Sequence, residues 1–417
     1  MVRGRGCRYS SERSLDRPTK AEGSRGESDT DSWVLPTLPQ GDTSKGLLVS
    51  ETRSALRAAQ HFAGSGTLTQ LVPLGQGLIH GTFQVQRHSA AQSALTFVLQ
   101  RLNRHVFPCP EEVVNNVRAV TTHLAQKCPP QGALRFPQLL PAEDGLLIYR
   151  DPDGEVWRAL SFIEHSHSRD TLENLEQARD IGCVLGQFHR LLGDLDPVVL
   201  RDTLPGFHIA TDYLIQLDTA WDTWTGTMTE PLRTCRAFIE ERRALVPVLE
   251  DAKAAGVLPL RVMHGDPKVN NFLFDAHSDR VVSLIDLDTV KPGLIHYDLG
   301  DCLRSACNRA GEDPLQPHAV HFDLAIARAI LEGYLTAAGM VLRPREFDFI
   351  LPAIRLIPLE LGMRFLTDYL SGNRYFHVRD PEHNLRRAQV QFRLVASIEN
   401  QAADLEHLIR AAGASAR

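Results

Sequence analysis

His264-Gly265-Asp266-Pro267-Lys268-Val269-Asn270-Asn271, followed after an apolar run by Ile285-Asp286-Leu287-Asp288, is the stretch that decides how this chain is read. Phosphoryl transfer of the protein-kinase type uses a carboxylate to accept the proton of an attacking hydroxyl, an Asn five residues later to hold Mg²⁺, and a further Asp on the metal. Asp266, Asn271 and Asp286 stand in that order, with Asp286 twenty positions beyond Asp266. Lys268 is within reach of the transferred phosphoryl group, and Asp and Asn oxygens are the hard donors Mg²⁺ prefers. Arg280 to Ile285 alternates and is rich in Val, which predicts a strand carrying Asp286 back to Asp266. A plain hairpin with Asp and Asn as turn formers is the competing reading. That suits Asp275 and Asp279 better than the ordered set His264, Asp266, Lys268, Asn271 and Asp286.

Upstream, Leu68 to Leu74 and Thr82 to Val85 read as strands flanking Gly75-Gln76-Gly77-Leu78-Ile79-His80-Gly81. A dinucleotide fingerprint would open a helix after its glycines, whereas alternating apolar residues continue here. Gly75 and Gly77 therefore fit a flap that brings backbone amides close to the phosphates of ATP, with an ordinary hairpin as the alternative. The next strand, Ala94 to Leu102, is where a kinase-like fold carries its phosphate-binding lysine, and it has none. Gln100 or Arg101 takes that position, and Arg101 is the candidate able to hold phosphate through its planar fork. A helix from Pro110 to Gln126 follows, whose Glu111 or Glu112 either orients Arg101 or complements the helix dipole.

Asp151-Pro152-Asp153-Gly154 marks a hairpin turn, and Val156 to Ile163 closes a small lobe, with a hinge near Ser161 to His165. Trp157 and Phe162 read as core residues. Helical periodicity covers Leu172–Leu192, Tyr213–Trp224, Glu230–Ala254, Phe322–Ala338, Pro344–Leu370 and Leu385–Ala412. The expected fold is α+β and bilobal, protein-kinase-like, with a small antiparallel-sheet N-lobe over residues 46–163. A larger, mainly helical C-lobe takes residues 164–417. Residues 1–45, rich in Arg, Ser, Gly, Asp and Pro, cannot bury enough apolar surface to offset ordering and read as a disordered tail.

A net charge of −6 argues against nucleic-acid and anionic-membrane partners. Seven cysteines without C-x-x-C pairs point to reduced thiols and a cytoplasmic setting. No apolar run reaches membrane-spanning length. A monomer or homodimer acting on a small molecule is the expectation.

With these parts in order, the chain resembles the aminoglycoside phosphotransferase and choline kinase superfamily from residue 65 to residue 412, and within it the N-acetylhexosamine 1-kinase group. The resemblance rests on Phe97-Val-Leu-Gln-Arg-Leu-Asn103, Trp157-Arg-Ala-Leu-Ser-Phe-Ile-Glu164, Pro205-Gly-Phe-His208 and Ile285-Asp-Leu-Asp-Thr-Val290. It extends through Tyr297-Asp-Leu-Gly-Asp-Cys-Leu-Arg304 and Arg364-Phe-Leu-Thr-Asp-Tyr-Leu370 to Tyr375-Phe376 and Asn384-Leu385. The missing strand lysine is shared by that group. The resemblance implies phosphorylation, by ATP with Mg²⁺, of a sugar hydroxyl, the anomeric one of an N-acetylhexosamine. It assigns Asp266 as base or hydroxyl-orienting carboxylate, Asn271 and Asp286 to the metal, and Lys268 to the γ-phosphate. It places His80, Arg364 and Tyr375 against the sugar.

Each substrate residue has a plainer reading. Arg364 has Glu360 and Asp368 at four-residue spacing for an ion pair, Tyr375 can cap a cluster with Phe376, and His80 can be a turn residue. Asp298 and Asp301 are expected to brace the catalytic loop, with Arg304 neutralising one of them. Two other functions stay open: an amino-alcohol kinase of the choline or hydroxylysine type, which needs an aromatic or acidic box for its ammonium, and a nucleotide-binding regulator without turnover.

Overall fold

Ala55, Ala58, Ala59, Phe62 and Ala63 recur at helical spacing and form the buried stripe of α1 (Lys45–Ala63), an element not read from the sequence above. The computed structural model describes residues 45–75, 80–89, 92–128, 134–314 and 319–415. The expected tail, apart from Lys45, lies outside them, as does Gly77. Val49 to Arg417 form one compact unit.

After α1 the chain lays down β1 (Thr67–Pro73), β2 (Gly81–Ser89) and β3 (Gln92–Leu102), then α2 (Pro110–Lys127). Next come β4 (Leu139–Leu140), β5 (Tyr149–Arg150) and β6 (Val156–Ser161), and these strands join in one antiparallel sheet of order β1-β2-β3-β6-β4, with β5 also on β6. Strand alternation gives the sheet two faces. Phe83, Val85, Phe97, Leu99, Trp157 and Ala159 pack on α1. Leu102 and Val156 turn the other way, onto Val114 of α2. Trp157 is fully buried, and its indole N–H donates to Asp151 at 3.1 Å.

The helical part carries β7 (Ser166–Ser168), α3 (Leu175–Leu191), α4 (Ala210–Thr223), α5 (Glu230–Glu240), α6 (Val248–Ala254) and β8 (Arg261–Met263). The hairpin β9 (Phe272–Asp275) and β10 (Val281–Leu284) follows, with β7 on its β9 edge, and β11 (Lys291–Gly293) pairs with β8. Then come α7 (Ile295–Ala306), α8 (Leu324–Ala338), α9 (Ile350–Leu370), α10 (His383–Asn400) and α11 (Ala402–Ser415). The α+β, kinase-like expectation therefore holds, with refinements. The helix expected over Glu230–Ala254 is two, because Pro247 at the N-cap of α6 cannot continue a helix hydrogen-bond ladder. The span Leu385–Ala412 also divides, at Gln401, whose side-chain amide is drawn off to the Phe322 carbonyl at 2.9 Å. Helix α7 was not read as a helix from the sequence. Among the described residues, no helix is long and apolar enough to cross a membrane.

Helices α3 and α8 approach backbone to backbone. A Cβ on Gly182 would lie 2.1 Å from the Ile330 carbonyl oxygen, and one on Gly333 2.2 Å from that of Arg179. This closeness lets His189 of α3 meet the Tyr334 hydroxyl of α8 at 2.9 Å in the buried interior. Replacing Gly333 with Leu forces the helices apart and is expected to lower stability by about 3 kcal/mol. Urea unfolding checks this, and a midpoint equal to wild type would contradict the packing described.

Candidate active site

The segment His264 to Asn271 is anchored by a buried carboxylate. Asp298, in the first turn of α7 and fully buried, accepts from the backbone N–H groups of His264 at 2.6 Å and Gly265 at 2.7 Å. Its other neighbour is His189 Nε2 at 2.8 Å, itself backed by Tyr334. Burial alone would raise the Asp298 carboxyl, but His189 and the His264 amide hold it below the ordinary carboxylate range. Gly265 has φ +93°, and a Cβ there would sit 2.8 Å from the Thr289 carbonyl oxygen, so the turn before Asp266 excludes any side chain. His264 Nε2 donates to the Ile285 carbonyl at 3.0 Å while Nδ1 accepts from the Asp266 amide at 3.2 Å. The Ile285 amide donates to the Asn271 carbonyl at 2.8 Å. These bonds lock residues 264–271 to residues 285–289.

Asp266, Lys268, Asn271 and Asp286 are thereby brought together. Lys268 Nζ lies 2.6 Å from Asp266 Oδ2, and the Asn271 amide donates to the Asp266 carbonyl at 2.7 Å and to Oδ2 at 3.3 Å. With Oδ2 so occupied, Oδ1 of Asp266 is the oxygen suited to a substrate hydroxyl. Burial opposes the Lys268 charge, but Asp266 and Asp286 outweigh it and hold the ammonium above its ordinary range. Asp286 has a left-handed backbone, φ +64°, uncommon outside glycine and typical of a constrained functional position. Burial and the like charges of Asp288 and Asp266 raise its carboxyl. A carboxylate facing two others is stabilised by a hard cation, and the Asn271 amide, with its nitrogen turned to Asp266, leaves its oxygen for the same role. The pair fits Mg²⁺. Asp275 and Asp279 serve the β9–β10 turn, where Asp275 Oδ1 accepts from the Ser278 amide at 2.9 Å and Asp279 has φ +58°.

On the nucleotide side the structure corrects two expectations. Arg101 pairs across the sheet with Trp157 and shares the face turned to α1, while Gln100 pairs with Arg158 on the opposite face. Strand alternation thus takes Arg101 away from the position of a phosphate-binding lysine. Glu111 is paired with Arg150. His80 does not look out onto an acceptor: it is 8% exposed, stacks on Phe107 at 5.6 Å, accepts from the Asn103 amide at 3.0 Å, and sets Nε2 2.7 Å from Asp288 Oδ2. The guanidinium of Arg158 also binds Asp288, and it takes Gln100 Oε1 at 2.7 Å. Burial pushes Asp288 upward, yet Arg158 and His80 hold it far below the carboxylate range. Gly75 has φ +71°, the left-handed backbone that favours glycine in a turn.

The opposite wall is built from α4, α7, α9 and the turn after α9. Arg364 lies over the rings of Tyr213, Phe207 and Phe376 at 5.0, 5.5 and 5.6 Å. Burial opposes its charge, but Tyr213 and Glu360 hold it above the ordinary range. The intrahelical pairs open to Arg364 have other uses. Glu360 Oε1 meets His208 Nδ1 at 3.1 Å, and Asp368 accepts from the amides of Arg374, Tyr375 and Phe376, shaping the turn that presents Tyr375, 64% exposed. His208 Nε2 lies 2.7 Å from the Gly265 carbonyl. Asp301 is neutralised by Arg304 at 2.8 Å instead of bracing the loop. Buried oxygens Asp301 Oδ2 and Glu360 Oε2 have no hydrogen-bond partner among the described residues. Sequence reasoning gave no role to Arg158, His208, Phe207, Tyr213 or Glu360 as a site residue. For Arg158 the signal was there, a cation inside the apolar run Val156 to Leu160.

A kinase-like fold, an antiparallel-sheet region followed by a helical one, here gathers an Asp–Lys–Asn–Asp cluster of the kind phosphoryl transfer uses. A family model described as APH, phosphotransferase enzyme family, matches residues 70–335, well over half of the chain, and the chain belongs to that family. Among solved structures it is similar to an aminoglycoside phosphotransferase from Alicyclobacillus acidocaldarius, at 17% identity and a TM-score of 0.57, covering 82% of this chain and 93% of that one. It is similar also to an amicoumacin kinase solved with AMP-PNP and Ca²⁺ (12%, TM-score 0.52, covering 90% and 96%). A third is the ethanolamine kinase of Plasmodium vivax (12%, TM-score 0.51, covering 86% and 92%). At these identities the likeness speaks to the fold.

His208 has Glu360 at one ring nitrogen and the Gly265 carbonyl at the other, an arrangement that favours the charged ring. Burial works against that charge, but Glu360 outweighs it and the folded-state value is raised. The associated stability is fully present below the unfolded value of about 6.5 and is lost as pH rises through the folded value. His208→Gln is therefore expected to flatten the alkaline limb of a plot of stability against pH above about 6.5, measured by urea unfolding. An unchanged alkaline limb would sink the assignment.

Proposed function

We propose that this chain transfers the γ-phosphate of ATP, with Mg²⁺, to a hydroxyl of a small molecule, the anomeric hydroxyl of an N-acetylhexosamine. The observation that carries the transfer is the Asp266 carboxylate, with Oδ2 taken by Lys268 and Asn271 and Oδ1 left for a hydroxyl. Asp266 orients that hydroxyl and accepts its proton as the phosphoryl group is transferred in line, and Lys268 steadies the charge that develops on phosphate. Asn271 and Asp286 would hold Mg²⁺, which supplies charge neutralisation for the phosphates when bound. Gly75 and the glycine turn it begins would cover the nucleotide. No covalent enzyme intermediate is required, since positioning and charge account for catalysis.

The acceptor assignment rests on Arg364. A guanidinium fixed over three rings, with the exposed Tyr375 beside it, suits the hydroxyl and acyl oxygens of a sugar and repels an ammonium group. The second reading, an amino-alcohol, draws on the Asp301 and Glu360 oxygens that have no partner among the described residues, since such carboxylate oxygens would hold an ammonium.

A ³¹P NMR assay with Mg-ATP and a panel of N-acetylglucosamine, N-acetylgalactosamine, glucose, galactose, choline and hydroxylysine separates these. A sugar 1-phosphate signal is the expected result, and product from choline or hydroxylysine alone would reject the sugar reading. Asp266→Asn is expected to reduce kcat about 10²–10⁴-fold with an unchanged melting temperature, and full turnover would remove Asp266 from its role. Asp286→Asn is expected to abolish Mg²⁺-dependent nucleotide binding without lowering the melting temperature of the metal-free protein, because it relieves repulsion among Asp266, Asp286 and Asp288. A melting temperature well below wild type in EDTA would contradict that origin.

A further inference from the structure

We propose that Arg158, on β6, is the cation that grips the phosphates of the nucleotide in place of a lysine on β3, an inference that rests on the nucleotide reading given above. In kinases that phosphate-binding lysine stands on the third strand. Here the cleft-side position of β3 is held by Gln100, a neutral side chain that turns its amide oxygen to the neighbouring strand. The charge comes from that neighbour. Arg158 is 1% exposed, donates through Nε at 3.0 Å and Nη2 at 2.7 Å to Gln100 Oε1, and pairs through Nη2 with Asp288 Oδ1. Its Nη1 is buried and has no hydrogen-bond partner among the described residues.

A buried guanidinium normally has its donors satisfied, because an unpaired donor loses its hydration without replacement. Arg158 departs from that rule on one edge only. Gln100 and Asp288 fix the other edge and so set the direction of Nη1. The position of that edge is informative. Arg158 shares a cross-strand row with Gln100 and Thr82, immediately beside Gly81 at the end of the glycine turn. His80, from that same turn, reaches the other oxygen of Asp288 at 2.7 Å. The turn, the sheet and the metal-binding segment meet at Asp288, two residues from Asp286. A phosphate chain running from the turn to Asp286 passes this junction, and the Nη1 donors match phosphate oxygens in geometry and charge. Asp288 then acts as a positioning residue that aims the guanidinium, and His80 secures Asp288.

Titration calorimetry with ADP and with adenosine separates a phosphate contact from a structural clamp. Arg158→Met is expected to weaken ADP at least tenfold and leave adenosine unchanged. Adding Gln100→Lys to that variant restores a cation from β3 and is expected to recover most of the ADP affinity. Should Arg158→Met fail to fold, Arg158→Lys keeps the charge but cannot hold Gln100, Asp288 and phosphate together, and is expected to weaken ADP several-fold with adenosine again unchanged. Equal loss of ADP and adenosine, or no loss of either, overturns the proposal. Wild-type protein that binds adenosine and ADP equally also overturns it, while wild type that binds neither rejects the nucleotide reading itself.

Discussion

Carboxylates crowded at the junction of sheet and helices are the constraint on which this structure depends. Burial, with the like charges of Asp288 and Asp266, raises the Asp286 carboxyl, and burial with the charge of Asp266 raises that of Asp301. Like charges this near are tolerated when each has a cation of its own. Lys268 serves Asp266, Arg158 serves Asp288, and Arg304 serves Asp301. Asp286 alone of these four has no ion pair of its own among the described residues, the condition under which a carboxylate suits a hard cation.

The fold is arranged to hold that cluster in place. Two backbone amides on Asp298 set the conformation of His264 and Gly265. The His189–Tyr334 contact behind Asp298 exists only because Gly182 and Gly333 let α3 and α8 touch. A substitution in that helix crossing thus acts on the catalytic segment through three successive contacts. On the acceptor side, His208 performs a similar service, joining the Gly265 carbonyl to Glu360 on α9. The segment carrying Asp266 is consequently fastened from both directions, by the Asp298 carboxylate on α7 and by the His208 ring ahead of α4. Such rigidity suits a reaction in which positioning is the main catalytic device.

Much of this was legible in the sequence. Period-two runs gave β1, β2, β3 and β6, and period-three-to-four runs gave most helices, because backbone geometry imposes those spacings locally. The ordered set Asp266, Lys268, Asn271 and Asp286 lies within twenty-one residues, short enough for one loop and one hairpin to bring them together. Helix ends at Pro247 and Gln401 were less legible, since the apolar pattern runs on across each break.

What the sequence by itself determined was therefore the spacing that gathers Asp266, Lys268, Asn271 and Asp286, and the order of the parts. Tertiary structure alone decided which cation and which wall face it. Arg101 and Arg158 are both cations in β-strands, and only the pairing of β3 with β6 puts one toward α1 and the other toward Asp288. Likewise Phe207, Tyr213, Arg364 and Phe376 form one wall although α4 and α9 are far apart in the chain. The physical reason is common to both cases. Local sequence specifies backbone period, while the partner of a buried charge is fixed by register and packing between distant segments, where a one-residue shift in a strand reverses the face.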